Sequence, residues 1–199
     1  MKDLNVLIAG VGGQGTLLAC RIIGNAGLAT GRDIKASEVH GMAQRGGSVI
    51  SHVKIAEKVH SPLIEKGDAD LILGFEPLEA LRWIDYLKKD GRVITNTKRV
   101  NPMPVITGQT EYPADISEKI GRKSGGIIEI DAHSIALEAG NPKAANMVLI
   151  GVMASLTDIS EDIWIGSIRE NVPARSLDTN LKAFQAGIDF AALMKGAQK

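Results

Sequence analysis

The chain predicts an α/β fold: a Rossmann-like, doubly wound, mostly parallel sheet with a helical C-terminal part. Three observations carry that expectation. Short continuous apolar runs, rich in branched residues, recur at residues 5–9, 70–74 and 127–131, as in strands buried on both faces. Segments of helical spacing stand between them, so strand and helix alternate. The first run passes through a glycine cluster, Gly10-Val-Gly-Gly-Gln-Gly15, straight into the first helical segment. A chain of 199 residues suffices for one core. No internal repeat, low-complexity tract or linker divides it, so residues 1–199 read as a single domain.

The elements follow in order. The strand at 5–9 ends at Gly10. Residues 16–28 place Leu17, Cys20, Ile23, Gly24 and Gly27 at helical spacing, and Gly27, Thr30 and Gly31 stop the helix. Residues 33–39 form a second strand. A polar turn at 40–47 leads to residues 48–55, where Val49, Ser51, Val53 and Ile55 alternate with Ile50, His52 and Lys54; this predicts a half-exposed, antiparallel strand. After the strand at 70–74, Pro77 opens a helix at its first turn, where the missing N–H costs nothing. Leu78, Leu81, Trp83, Ile84 and Leu87 continue it to a stop at Asp90-Gly91. Residues 92–96 read as a strand, and 101–113, with three prolines, as an irregular crossing. A short helix at 115–123, the strand at 127–131 and a helix at 132–139 ended by Gly140 come next. Three helices near 143–156, 160–171 and 177–195 then cover one face or an edge of the sheet. Asn141-Pro142 opens the first of them. Its segment 144–156 is expected to be buried or interfacial.

Composition excludes several functions. Lys plus Arg and Asp plus Glu both count 23, and this balance argues against a nucleic-acid or membrane-surface role. The one cysteine, Cys20, cannot supply the thiolates of an iron–sulfur cluster, so cluster chemistry belongs on another chain. His40, His52, His60 and His133 lack metal-ligand spacing, and no metal site is expected. There is no serine nucleophile elbow and no other obvious nucleophile, so no catalytic residue is assigned. The longest apolar stretch, at 147–156, is too short to span a bilayer, and no signal-peptide core is present. A cytoplasmic location is expected.

Two segments carry the candidate site. Gly10, Gly12 and Gly15 satisfy G-x-G-x-x-G, with Gly13 and Gln14 between them. A backbone without side chains at a helix N-terminus admits a phosphate or another part of a cofactor. The same glycines would also serve tight strand–helix packing, or contact with a partner chain. The second segment, Ser37-Glu-Val-His-Gly-Met-Ala-Gln-Arg-Gly-Gly-Ser48, sets Glu38, His40, Gln44 and Arg45 within eight residues. It lies beyond a strand's carboxyl end, where α/β sheets bind ligands, and Arg45 suits carboxylate or phosphate recognition. A local Glu38–Arg45 ion pair capping the turn is the alternative.

These two segments, with Gly74-Phe-Glu-Pro-Leu-Glu-Ala-Leu81 and Asn146-Met-Val-Leu-Ile-Gly151, resemble the gamma-type module of 2-oxoacid:ferredoxin oxidoreductases. Within that family the resemblance is to the beta subunits of the indolepyruvate branch, and it runs from residue 4 to about 190. It implies a subunit that binds no cofactor firmly and is inactive alone. A large alpha subunit would carry thiamine diphosphate, magnesium and four-iron clusters. The pair would decarboxylate an arylpyruvate oxidatively, pass the acyl group to coenzyme A and reduce ferredoxin. Gly12 to Gly15 and the segment from Glu38 to Arg45 would then face the partner or the acyl-transfer channel. Two rivals share the glycine loop. A stand-alone NAD(P)-dependent oxidoreductase would need a ribose-binding loop after the second strand, and Glu38 is followed instead by Val39 and His40. An adenylating enzyme of the ubiquitin-activating type would need an aspartate pair there, which residues 33–39 lack.

Overall fold

The structure, a computed structural model, describes residues 2–41 and 46–196. Six strands, β1 (Leu4–Val11), β2 (Asp33–His40), β3 (Ser48–Ala56), β4 (Ala69–Gly74), β5 (Leu87–Asn96) and β6 (Ile127–Ile130), form one sheet in the order β2-β3-β1-β4-β5-β6. β1 pairs with β4, β4 with β5 and β5 with β6 in parallel, while β3 pairs antiparallel with both β1 and β2. Only β3 therefore runs against the rest, and the carboxyl ends of the other five strands share one edge.

The apolar runs are continuous because both faces are covered. In β1, Val6 and Ile8 enter one core and Leu7 the other; in β4, Leu71 and Leu73 face away from Ile72. The larger core packs helices α1 (Thr16–Ala29), α5 (Ala132–Glu138), α6 (Ala145–Ala154), α7 (Glu161–Asn171) and α8 (Ala174–Gly196) on the first face. The smaller core packs α2 (Pro77–Arg82) and α4 (Ile116–Lys123) on the second. The C-terminal helices cover one face, as the sequence predicts. Every residue of α6 from Asn146 to Ala154 is buried. Ser167 of α7 donates to the Ile22 carbonyl of α1 at 2.8 Å, tying the outer helix to the first crossover.

Three expectations need correction. β3 is antiparallel but not half-exposed: residues 49–53 are all buried. Its Val53 and Ile55 lie under α1, while the segment after β3 covers the other side, where the Ile64 N–H donates to His52 Nδ1 at 3.1 Å. Alternation marks the two faces of a strand, but not whether both are covered. The helix from Pro77 stops at Arg82, and after a 3-10 turn (Ile84–Tyr86) Leu87 begins β5. There the chain pairs Ala69 with Leu87 and then shifts register before Leu71 meets Arg92. Gly91 permits this, since a Cβ there would meet Leu87 at 2.7 Å and the Ala69 carbonyl at 3.0 Å. Finally, Leu17 is 47% exposed at the mouth of the glycine loop, although its spacing suggests core. Residues 101–113 hold one short helix, α3 (Met103–Ile106), and are otherwise irregular.

His52 gives the fold a pH dependence. Burial holds its imidazole below the ordinary value of 6.5, so it stays neutral where the unfolded chain's histidine takes a proton. The unfolded state then binds more protons as pH falls below about 6.5, and stability falls with it. The loss is about 1.4 kcal/mol for each pH unit separating the two values. In urea titrations at pH 7.5 and 5.5, His52→Asn, which keeps an acceptor for the Ile64 N–H, should lose less stability on acidification than the wild type. Equal losses would place the titrating group elsewhere.

Candidate functional site

The chain leaves β1 through α1 toward one face of the sheet and leaves β4 through α2 toward the other. β1 and β4 are neighbours, so a crevice opens between their carboxyl ends, the switch point where open α/β sheets take ligands.

The glycine loop lies there and is braced from both sides. Val11 N–H donates to Gln14 Oε1 at 2.7 Å, and Gln14 Nε2 donates to the Phe75 carbonyl at 3.2 Å, so the Gln14 amide ties β1's turn to the end of β4. Gly12 N–H donates to the Gly47 carbonyl at 2.8 Å, and Gly46 N–H returns to Gly12 at 3.4 Å. The glycine loop and the turn before β3, separate in sequence, are thus stitched together. Gly10 is held by packing: a Cβ would meet Gln14 Oε1 at 2.9 Å and Phe75 Cβ at 3.0 Å. Gly13 and Gly15 have φ of 101° and 85°, the left-handed region that favours glycine.

A cleft of about 520 Å³ opens on the β4–β5 side of the loop. Gly13 and Gly15 at the start of α1 line it together with Asn96, Lys98, His133, Lys143 and Asn146. The buried Asn96 accepts from Ala132 N–H at 3.2 Å and Lys98 N–H at 3.3 Å, which fixes the exits of β5 and β6. Lys98 Nζ lies 3.1 Å from Nδ1 and 3.0 Å from Nε2 of His133. Asn146, 4% exposed, accepts from Met147 N–H with Oδ1 and turns Nδ2 toward Gly15. Two ammonium groups, an imidazole, side-chain amides and a helix N-terminus thus converge with no carboxylate among the lining residues. That chemistry suits an anion of phosphate type.

A second cleft, of about 390 Å³, lies on the loop's other side, lined by Gly12, Leu17, Glu38, His40 and Val49 among others. Glu38 accepts from the buried Ser51 hydroxyl at 3.0 Å, and His40 is exposed. Gln44 and Arg45 lie outside the described residues. The placement of β2 weighs against a dinucleotide site. There the second strand lies beside the first and sets its acidic residue against the ribose. Here β3 intervenes between β1 and β2.

Two carboxylates of the 74–81 segment brace the same edge. Glu76, 1% exposed, caps α2: it accepts from Glu79 N–H at 2.9 Å, from Val100 N–H at 3.3 Å and from the Tyr112 hydroxyl at 2.5 Å. Burial, and then the adjoining Glu76 carboxylate, push the Tyr112 phenol well above its usual range. Glu79, 5% exposed, accepts from the Ser48 hydroxyl and pairs with Arg82 at 3.2 Å. Burial raises its carboxyl despite both partners. The signal in the sequence was Glu76-Pro77, an N-cap acceptor ahead of a first-turn proline.

Cys20 is buried, and its thiol is pushed up to about 11, chiefly by burial, so it is neither a thiolate nor accessible. Among the described residues no three His, Cys, Asp or Glu side chains gather as metal ligands, and no helix is long and apolar enough to cross a membrane.

Comparison with known proteins adds to this geometry. The family model for pyruvate ferredoxin/flavodoxin oxidoreductase matches residues 5–190. The indolepyruvate oxidoreductase subunit IorB of Thermococcus kodakarensis is 43% identical, over 98% of this chain and all of the relative. The subunit of the same name from Pyrococcus horikoshii is 41% identical, with 98% of each chain covered. In three dimensions, the gamma subunit of a keto/oxoacid ferredoxin oxidoreductase from Geobacter sulfurreducens superposes with a TM-score of 0.71 at 24% identity, over 96% of this chain and 99% of that one.

Proposed function

The chain belongs to the pyruvate ferredoxin/flavodoxin oxidoreductase family, and on that premise we propose that it is the smaller, cluster-free subunit of an indolepyruvate ferredoxin oxidoreductase. The observation that carries this reading is the end-to-end identity with indolepyruvate oxidoreductase subunits. In the reaction, the carbon–carbon bond of an arylpyruvate breaks and carbon dioxide leaves. The electron pair passes to ferredoxin. The sulfur of coenzyme A takes the acyl group and gives up its proton. Thiamine diphosphate, magnesium and the four-iron clusters sit on a larger alpha subunit; the lone buried Cys20 accords with that division. Residues 1–199 act as one gamma-type domain in the cytoplasm.

This chain's own part is to receive coenzyme A. The cleft over Gly13 and Gly15 takes the nucleotide phosphates on Lys98, Lys143, His133 and the N-terminus of α1. Gly10, Gly12 and Gln14 hold the loop that forms its floor. On the other side, Glu38 and His40 face the larger subunit or the acyl-transfer channel.

The test is reconstitution. The chain and the large subunit, co-expressed and purified without oxygen, should reduce an electron-accepting dye only when indolepyruvate and coenzyme A are both supplied. Neither subunit alone should do so. Failure to form a complex, or tight NAD(P) binding by this chain alone, would overturn the reading.

A further inference from the structure

Glu76 lies outside the proposed binding cleft, yet it is 1% exposed and accepts three hydrogen bonds at this edge. One of its oxygens, Oε1, accepts from both Val100 N–H and Tyr112 O–H. These two residues are the ends of a loop. Between them the chain runs out through α3 and returns, with Gln109 and Thr110 N–H donating to the Pro104 carbonyl at 2.9 and 3.2 Å. The loop's tip has almost no core contact: Met103 and Ile106 are 66% and 64% exposed, and α3 buries no residue. A buried carboxylate therefore joins the two ends of a loop whose only described core packing is at Tyr112. The Arg99 guanidinium, 4.9 Å over the Tyr112 ring, reinforces that closure.

The neck is also where the cleft begins. Val100 lines it, and Lys98 stands two residues earlier, between the Asn96 anchor and the Glu76 anchor. Lys98 is exposed and its long side chain is free to sweep. With the backbone pinned on both sides, that side chain starts from a fixed point, and its ammonium lies 3.0 Å from His133 Nε2 beside the glycine loop.

We infer that Glu76 is a positioning residue. Through Val100 N–H and the Tyr112 hydroxyl, it closes the neck of the 100–112 loop and so holds Lys98 where the cleft receives a phosphate. The inference rests on the proposed coenzyme A role of the cleft and names a residue outside it that sets its affinity. Because Glu76 touches no reacting atom, its loss should act on coenzyme A binding more than on turnover.

Tyr112→Phe is the principal variant, because it deletes one hydroxyl and leaves the Glu76 cap of α2 intact. Glu76→Gln is the second, since its one amide oxygen can either cap α2 or accept from Val100 N–H and Tyr112 O–H, but not both. Both are assayed in the reconstituted complex beside Lys98→Ala and the Lys98→Ala/Tyr112→Phe double variant, with coenzyme A and indolepyruvate varied separately. Lys98→Ala should raise KM for coenzyme A about tenfold, the effect of losing one charge-assisted phosphate contact. Tyr112→Phe and Glu76→Gln should raise it about fivefold, leave KM for indolepyruvate unchanged and move kcat less than about twofold. On the Lys98→Ala background Tyr112→Phe should add nothing, because it acts through Lys98. A tenfold effect of Lys98→Ala beside a wild-type KM in Tyr112→Phe overturns the inference and leaves the cleft reading standing. A wild-type KM in Lys98→Ala overturns the cleft reading and the inference with it. Full additivity in the double variant, or an equal loss with both substrates, makes the loop a general structural element and also overturns the inference.

Discussion

Gly187→Ala should destabilise the isolated subunit by about 3 kcal/mol or more, the upper range for overpacking a close-packed core. A Cβ on Gly187 would stand 2.1 Å from the Val148 carbonyl oxygen and 3.1 Å from the Gly151 Cα; one on Gly151 would stand 2.1 Å from the Phe184 carbonyl oxygen. These obstacles are backbone, so no rotamer change relieves them, and α6 and α8 must separate. α6 cannot move cheaply. Val148, Ile150, Val152 and Met153 are fully buried in the larger core, and Phe184 of α8 packs into the same cluster. Separation would open a gap across that cluster and forfeit its dispersion contacts. Gly166 is the control. It lies within α7, and a Cβ there meets nothing within 4 Å, so Gly166→Ala should be neutral or stabilising by about 0.5–1 kcal/mol. Urea titration of the three proteins decides. A Gly187→Ala midpoint near that of the wild type would mean the two helices do not approach by their backbones.

The glycine pair also shows where the sequence stops being readable. A glycine inside a helical pattern announces only a weak helix position; that Gly151 and Gly187 need each other is a tertiary fact. The strands were legible, because burial on both faces writes itself into the local composition as unbroken Val, Ile and Leu. The glycine loop was legible for a related reason: strand, turn and helix are contiguous. β3 was misread as half-exposed because its cover comes from α1 and from the segment around Ile64, neither adjacent to it in pattern. The end of α2 was misread because Leu87 continues a helical spacing that the β4 pairing overrides. In the site, Gly12 and the turn before β3 were each singled out, but the hydrogen bonds joining them follow from β3 lying beside β1. Lys98 and the stretch holding Lys143 and Asn146 come from two separate segments, and only the sheet order brings them over one loop. Glu76 was hidden by its ordinary appearance as an N-cap, since nothing local reveals that the same carboxylate receives Val100 and Tyr112.

Gly15→Ala should raise KM for coenzyme A in the reconstituted complex by about thirtyfold, a loss of roughly 2 kcal/mol in binding. Two penalties act at this position. Gly15 caps α1 with φ 85°, so any side chain carries the left-handed cost of about 1 kcal/mol. Its Cβ would also lie 2.7 Å from Asn146 Nδ2 and 3.4 Å from Asn146 Cγ. Asn146 is 4% exposed on the first turn of the buried α6, so it cannot retreat into the core. Its amide must swing into the cleft, where it would occupy the space proposed for a phosphate. Gly13→Ala separates the two penalties. Gly13 has φ 101° but open space around its Cβ, so it carries backbone strain without the collision. Both variants should lose stability in urea, while a large rise in KM belongs to Gly15→Ala. If both raise KM equally, backbone strain in the loop is the cause and Asn146 has no part in shaping the cleft. If neither raises it, coenzyme A binds elsewhere and the glycine loop serves packing alone.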